Sequence, residues 1–315
     1  VLGSVFRPLQ LLRGLASAAL DLRFCVVLLA PLGLVLAALA FASAAVAQET
    51  PYFVAYSHHL EEPANLEIET YSIYGTQKGA GDFVAPWMEL EYGLTAWWTT
   101  EFYIDSQHTF GGPDSTVFTG TRFENRFRPL MHEHWINPVL YVEFENTTDA
   151  DKTLKEVVGA DNQFDAAQPN STANRHHTHE LETKLILSSD YKGWNISENF
   201  IGEKNLGHQP WEFGYAVGVS RPLRLEGTPR ACNFCRENMI LGAEMYGGLG
   251  TAKAFSLSGT SHYIAPIAAW QLPNGFTFSL SPGLGLGDES HRFLLRWGVS
   301  YEIDGFGRKL RSLFP

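Results

Sequence analysis

The sequence predicts an all-β fold, a transmembrane antiparallel up-and-down β-barrel of about 12 strands behind an N-terminal signal peptide. Three observations predict it. Apolar and polar residues alternate with period two in segment after segment. The N-terminus reads as an export signal. After residue 48 every apolar run is broken by charged or polar residues within about ten residues, too short for a membrane helix. A mature chain that spans a bilayer must then be a closed barrel, whose backbone groups all pair between strands.

Residues 1–47 carry Arg7, Arg13 and Arg23, then the apolar stretch Cys25 to Ala40, then small residues ending Ala45-Val46-Ala47. A basic region, an apolar core and an A-x-A-like site make a secretory signal. Read as a membrane anchor, Val26 to Ala47 is nearly long enough to span. Pro31 and Gly33 interrupt it, however, and it ends in alanine and serine rather than a basic flank. The remaining 268 residues suit one domain. Residues 48–65 are expected as an N-terminal periplasmic segment, 66–303 as the barrel and 304–315 as a C-terminal periplasmic tail. Without the signal the chain has 20 basic and 33 acidic residues, a formal charge of −13. That balance argues against nucleic acid as a partner, which needs a basic face.

Strands are expected near 66–76, 83–93, 95–108, 115–128, 138–147, 178–189, 194–204, 210–221, 237–249, 261–271, 275–285 and 291–303. In the last, Phe293, Leu295, Trp297, Val299, Tyr301 and Ile303 alternate with Arg292, Leu294, Arg296, Gly298, Ser300 and Glu302. One face suits lipid and the other water. Trp211, Phe213, Tyr215, Val217 and Val219 repeat the logic, as do Phe276, Phe278, Leu280 and Leu284. In the fourth strand Val117, Phe123 and Phe127 oppose Arg122, Glu124, Arg126 and Arg128. The first, seventh and tenth strands are the least regular, because Ser72, Glu198 and Pro266 break the alternation. An even strand number, short turns after even strands and the longest gap, 148–177, after the fifth fit a barrel with short periplasmic turns and longer outer loops. The connections Pro129 to Asn137 and Arg221 to Arg236 are longer than that pattern expects. Trp87, Trp97, Trp98, Trp194, Trp211, Trp270 and Trp297 fall in or near strand ends, as aromatic girdles require. A soluble sandwich or lipocalin-like barrel also alternates, but its apolar face would point inward.

The inward face is crowded with charge: Glu89, Glu91, Glu101, Arg122, Glu124, Arg126, Glu143, Glu145, Glu180, Glu182, Lys184, Glu212, Glu244, Arg292, Arg296 and Glu302. Such a lumen is either a narrow water-filled pore that selects solutes by charge or a barrel closed by paired charges. A dozen strands lie between side-chain-filled barrels and open porins, and the excess of Glu favours neutral or cationic small-molecule solutes. Cys232 and Cys235 are expected to form a local disulfide in an oxidising compartment. Arg236 stands where a haem-attachment motif needs His, so no cofactor is expected. His176, His177 and His179 form a loop cluster whose spacing matches no metal motif, so no metal site is assigned. An outer-membrane lipid hydrolase would need a nucleophile and base. Ser188, Ser189, Ser261 and His262 show no triad spacing, so no catalytic residue is assigned and the chain is not expected to be an enzyme. A structural or adhesin-like barrel acting through outer loops is the other alternative.

Arg296-Trp297-Gly298-Val299-Ser300-Tyr301-Glu302-Ile303 resembles the C-terminal assembly signal of bacterial outer-membrane barrels, with Arg296, Gly298, Tyr301 and Ile303 in its defined positions. That resemblance implies the bacterial outer membrane, its lipid and the barrel assembly machinery as partners. The departure is the stretch Asp304 to Pro315, which follows a signal that usually ends the chain. Glu91-Tyr92-Gly93-Leu94-Thr95 and Glu182-x-Lys184-Leu185-Ile186-Leu187, followed by Asp190, Gly193 and Trp194, look like an uncharacterised outer-membrane family. That family is grouped with a putative meta-pathway of phenol degradation, and the similarity implies uptake of small hydrophobic or aromatic compounds.

Overall fold

The computed structural model describes residues 50–111, 116–160, 167–207, 209–226 and 232–313. The expected signal peptide, residues 1–47, lies outside the described residues. Twelve strands span the wall: β1 Leu66–Gly75, β2 Phe83–Thr95, β3 Trp98–Thr109, β4 Thr116–Phe127, β5 Asn137–Thr148 and β6 His177–Tyr191. They continue as β7 Trp194–Asn205, β8 Glu212–Pro222, β9 Met239–Thr251, β10 His262–Gln271, β11 Phe276–Gly285 and β12 Phe293–Ile303. Each pairs antiparallel with its sequence neighbours, and β1 pairs with β12 from Leu66↔Ile303 to Gly75↔Leu294, which closes the barrel. Closure leaves no open edge along the sheet. A two-residue ladder, Ala254–Phe255, extends the hairpin beyond β9.

The expected strands are present, with ends shifted by one to three residues. In β1 to β3 the odd positions point inward and the even ones outward, so Glu67, Glu89 and Glu101 are buried while Ile68, Met88 and Phe102 are exposed. A register shift between Asp105 and Ser106, opposite Thr119, adds one residue to β4. The extra residue flips side-chain parity, so Phe118 rather than Val117 shares the outer face with Phe123. Leu140, Val142, Phe144, Leu185, Phe200, Leu241, Ile264, Phe278, Leu280 and Val299 continue that apolar outer surface. A closed, even-stranded barrel with such an exterior spans a bacterial outer membrane, because lipid tolerates no unpaired backbone and rewards apolar side chains.

The short turns gather at one end. Lys192 and Gly193, both at positive φ, make the two-residue turn between β6 and β7, the backbone twist that tight hairpins require. Aromatic rings cluster on this end: Trp97, Trp98 and Phe127 pack together, Trp135 meets Tyr191, and Trp270 lies between Phe234 and Phe278. Trp87 departs from the expected girdle. It points into the barrel and stacks on Tyr71. The connection from β8 to β9 contains Cys232 and Cys235, which are joined as a disulfide. Beyond β12, helix α2, Phe306–Leu313, follows the short α1, Asn170–Ala173, of the β5–β6 connection. The amide of Gly307 donates to Ala64, and Arg308, Lys309 and Arg311 are exposed.

Candidate functional site

The lumen is occupied by chain from both ends. Residues 50–65, expected as a stretch ahead of the barrel, run inside it from the short-turn end. Val54, Ala55, Ser57 and His58 are buried. One oxygen of the inward Glu244 accepts the amides of Phe53, Val54 and Ala55 at 3.1, 2.8 and 2.7 Å. Asn199 clamps Tyr56 twice: its side-chain oxygen accepts the Tyr56 amide at 2.6 Å, and its Nδ2 donates to the Tyr56 carbonyl at 2.9 Å. Tyr52 donates to Asn195 at 2.9 Å, and its ring lies where a Cβ on Gly218 would stand. A glycine at an inward strand position therefore makes the hole this ring fills.

From the opposite end, residues 149–160 of the β5–β6 connection fold inward. Val158 bridges Gly214, and Gly159 bridges Gly250. A Cβ on Gly214 would come within 2.3 Å of the Val157 carbonyl oxygen, and one on Gly248 within 2.5 Å of the Gly159 oxygen. Leu154 holds a positive φ of 49°, sparsely populated for a branched residue. Its carbonyl accepts from Arg296 at 2.6 Å.

Between the two inserts the wall charges form one network. Arg122 reaches Asp105, Glu145, Asp151 and Glu156 at 3.0, 2.8, 2.7 and 3.0 Å. Two of these partners belong to the wall and two to the inserted connection, so one guanidinium ties them together. Arg126 pairs with Glu91, Glu101 and Glu124. The Tyr103 hydroxyl lies among Glu89, Glu101 and Glu124. Lys184 meets Glu182 at 2.8 Å and the face of Tyr141 at 4.2 Å. From the connection, Lys155 stands 3.2 Å above the Tyr103 ring and 3.6 Å from Glu89. Burial disfavours the Lys155 ammonium, but Glu89, Glu143, Glu124 and Glu101 outweigh it and hold its pKa up. Burial likewise opposes the Glu156 carboxylate, which Arg122 and Lys184 keep ionised below its ordinary range. Lys152 has too little compensation: burial pushes its pKa down to about 8, with Asp151 only partly opposing.

Of the residues expected inside, Glu89, Glu91, Glu101, Arg122, Glu124, Arg126, Glu143, Glu145, Glu182, Lys184, Glu244 and Arg296 are buried on inward positions. Glu180 and Glu212 line a cavity of about 420 Å³ at the long-connection end, together with Arg122, Thr147, Glu203 and Tyr263. Glu302 is half-buried at the short-turn mouth, bonded to Asn65. Arg292 is the exception: β12 begins after it, and it is exposed in the preceding connection. A second cavity, about 140 Å³, lies between the N-terminal segment, Glu67, Glu69, Trp87 and Lys155. His176, His177 and His179 are exposed near the start of β6. Ser188 points inward, whereas His262 bonds to Thr260 and Tyr215. Of the assembly-signal positions, Arg296 is buried, Gly298 sits beneath the Tyr71 ring, and Tyr301 is exposed on the outer face.

No family model and no curated protein matches the sequence. Among solved structures, the fold is similar to an outer-membrane channel from Pseudomonas putida F1, at 12% identity and a TM-score of 0.48, covering 81% of this chain and 100% of that one. KdgM porin is similar at 7% identity and a TM-score of 0.42, over 74% of this chain and 98% of that one. LpxR from Salmonella typhimurium is similar at 12% identity and a TM-score of 0.39, over 74% and 99%. These likenesses concern barrel architecture alone.

Proposed function

We propose that the protein is an outer-membrane channel for passive uptake of small neutral or cationic solutes, closed at rest by its N-terminal segment and its inward β5–β6 connection. The observation that carries this reading is the composition of the inserts. They are held by hydrogen bonds and ion pairs to a polar wall, which water can replace, alongside an apolar cluster in which Val54, Ala55, Val157 and Val158 pack with Ile73, Phe83 and Leu294 of the wall. The acid-rich wall favours cations and disfavours anions. Hydrophobic or aromatic solutes are the class that the sequence resemblance to the phenol-pathway family adds. Tyr263, Leu154 and Val157 on the larger cavity offer them an apolar surface.

A structural barrel is the second reading, favoured by Arg122 and Arg126, which bind the wall into a paired network. Proteoliposome swelling separates the two. The channel reading expects faster entry of small neutral and cationic solutes than of anions of equal size. Entry no faster than into empty liposomes, for every solute and with the N-terminal segment deleted, would establish the structural reading instead.

A further inference from the structure

We propose that a zinc ion binds between His58, His59 and Asp190, with Glu133 as fourth ligand, and fixes the N-terminal segment to the barrel wall. The four side chains come from three separate pieces of chain: the inserted segment, the end of β6, and the β4–β5 connection. His59 Nε2 lies 2.7 Å and His58 Nε2 3.8 Å from the same Asp190 oxygen. Glu133 Oε2 is 2.9 Å from His58 Nε2. The ligand atoms of His58, His59 and Asp190 all lie within 4.8 Å of one another, whereas Glu133 stands beside His58 outside that group and would close on the ion by turning its exposed side chain. A tetrahedral zinc with bonds of about 2.0 Å keeps its ligands roughly 3.3 Å apart, in the middle of these separations.

The surroundings already orient the donors. Ser188 Oγ sits 2.8 Å from His58 Nδ1, which leaves Nε2 for the ion. Asn195 donates to Asp190 Oδ1 at 2.6 Å, which leaves Oδ2 facing the histidines. Arg128 holds Glu133 Oε1 at 3.1 Å, and Asn137 holds Oε2 at 3.0 Å. Partners of this kind fix ligand tautomer and direction in metal sites. The His58 and His59 rings pack at 4.3 Å, so their nitrogens approach together. Two imidazoles and two carboxylates suit zinc and neutralise its charge, whereas calcium and magnesium require all-oxygen sets. His58 is fully buried, while Glu133 is more than half exposed at the mouth and gives the ion a way in.

The consequence is a metal-dependent latch, since withdrawal of the segment would break its metal-bridged link to both other pieces. That consequence rests on the channel reading, but the binding does not. The test uses the refolded barrel, residues 48–315, in detergent, titrated calorimetrically with Zn²⁺, with Co²⁺ as spectroscopic probe and hydrogen exchange read on amides 53–56. Expected are one Zn²⁺ per chain, tetrahedral Co²⁺ absorption, slower exchange of those amides with metal, and at least about 100-fold weaker binding in His59→Ala and Asp190→Asn. Unchanged affinity in both variants would place the metal elsewhere and overturn the site. Binding that leaves exchange at 53–56 unaltered would overturn the latch. His59 is partly exposed, so its variant should still fold, checked by compact migration of the unheated barrel. Because no readout depends on conduction, a failed channel assay leaves this result standing.

Discussion

Arg122 illustrates how much a single lumen side chain holds. It faces Asp105 and Glu145 on the wall and Asp151 and Glu156 on the connection. Removing one partner of a buried ionic cluster leaves uncompensated charge and costs about 3–5 kcal/mol. Arg122→Met is therefore expected to lower the thermal midpoint and to loosen residues 149–160, detectable as faster proteolysis in that stretch. An unchanged midpoint and cleavage rate would show that the network contributes little. Lys152 gives a pH signature. Its folded pKa of about 8 lies below the ordinary lysine value, so between about pH 8 and pH 10.5 the released connection binds more protons than the inserted one. Insertion therefore strengthens as pH rises through that window and is weakest, and constant, below it. Conductance should fall from about pH 7 to about pH 10, and Lys152→Met should flatten the profile.

At the scale of elements, alternation alone placed the twelve strands, because inward and outward faces meet solvents of opposite preference. Turn chemistry such as Lys192-Gly193 set their connections. What sequence reasoning missed was where the non-strand segments go. Residues 48–65 are expected from the sequence only as a periplasmic segment ahead of the barrel, although Tyr52, Phe53, Val54 and Tyr56 form an apolar cluster within it. Glycines at inward positions of β8 and β9 carry no signal of their own in the alternation, yet Gly214, Gly218 and Gly248 are places where inserted chain touches the wall. The acidic wall is legible, but its partner Lys155 lies in a loop and carries no periodic signal. Arg292 was misplaced because parity continues past the point where β12 ends its pairing. These contacts predict that Gly214→Val, whose side chain would strike the Val157 carbonyl, expels the connection while leaving the barrel folded. The expected readout is raised conductance with unchanged heat-modifiable gel mobility. Loss of that mobility would show that the glycine serves the barrel rather than the insert.

For the molecule as a whole, an outer surface of exposed Phe, Leu, Ile and Val fixes its place in lipid, and an inner surface of paired charges lines the lumen through which the proposed transport would run. The two inserts fill much of the lumen and leave cavities of about 140 and 420 Å³. The proposed closure is reversible and is made chiefly by the N-terminal segment, through Glu244, Asn199 and Asn195. Single-channel recording in planar bilayers tests it, comparing residues 48–315 with a variant that also lacks residues 50–61. The account predicts small or infrequent openings in the first and several-fold larger, cation-selective conductance in the second. Two silent proteins, each shown to be folded and inserted, would contradict it.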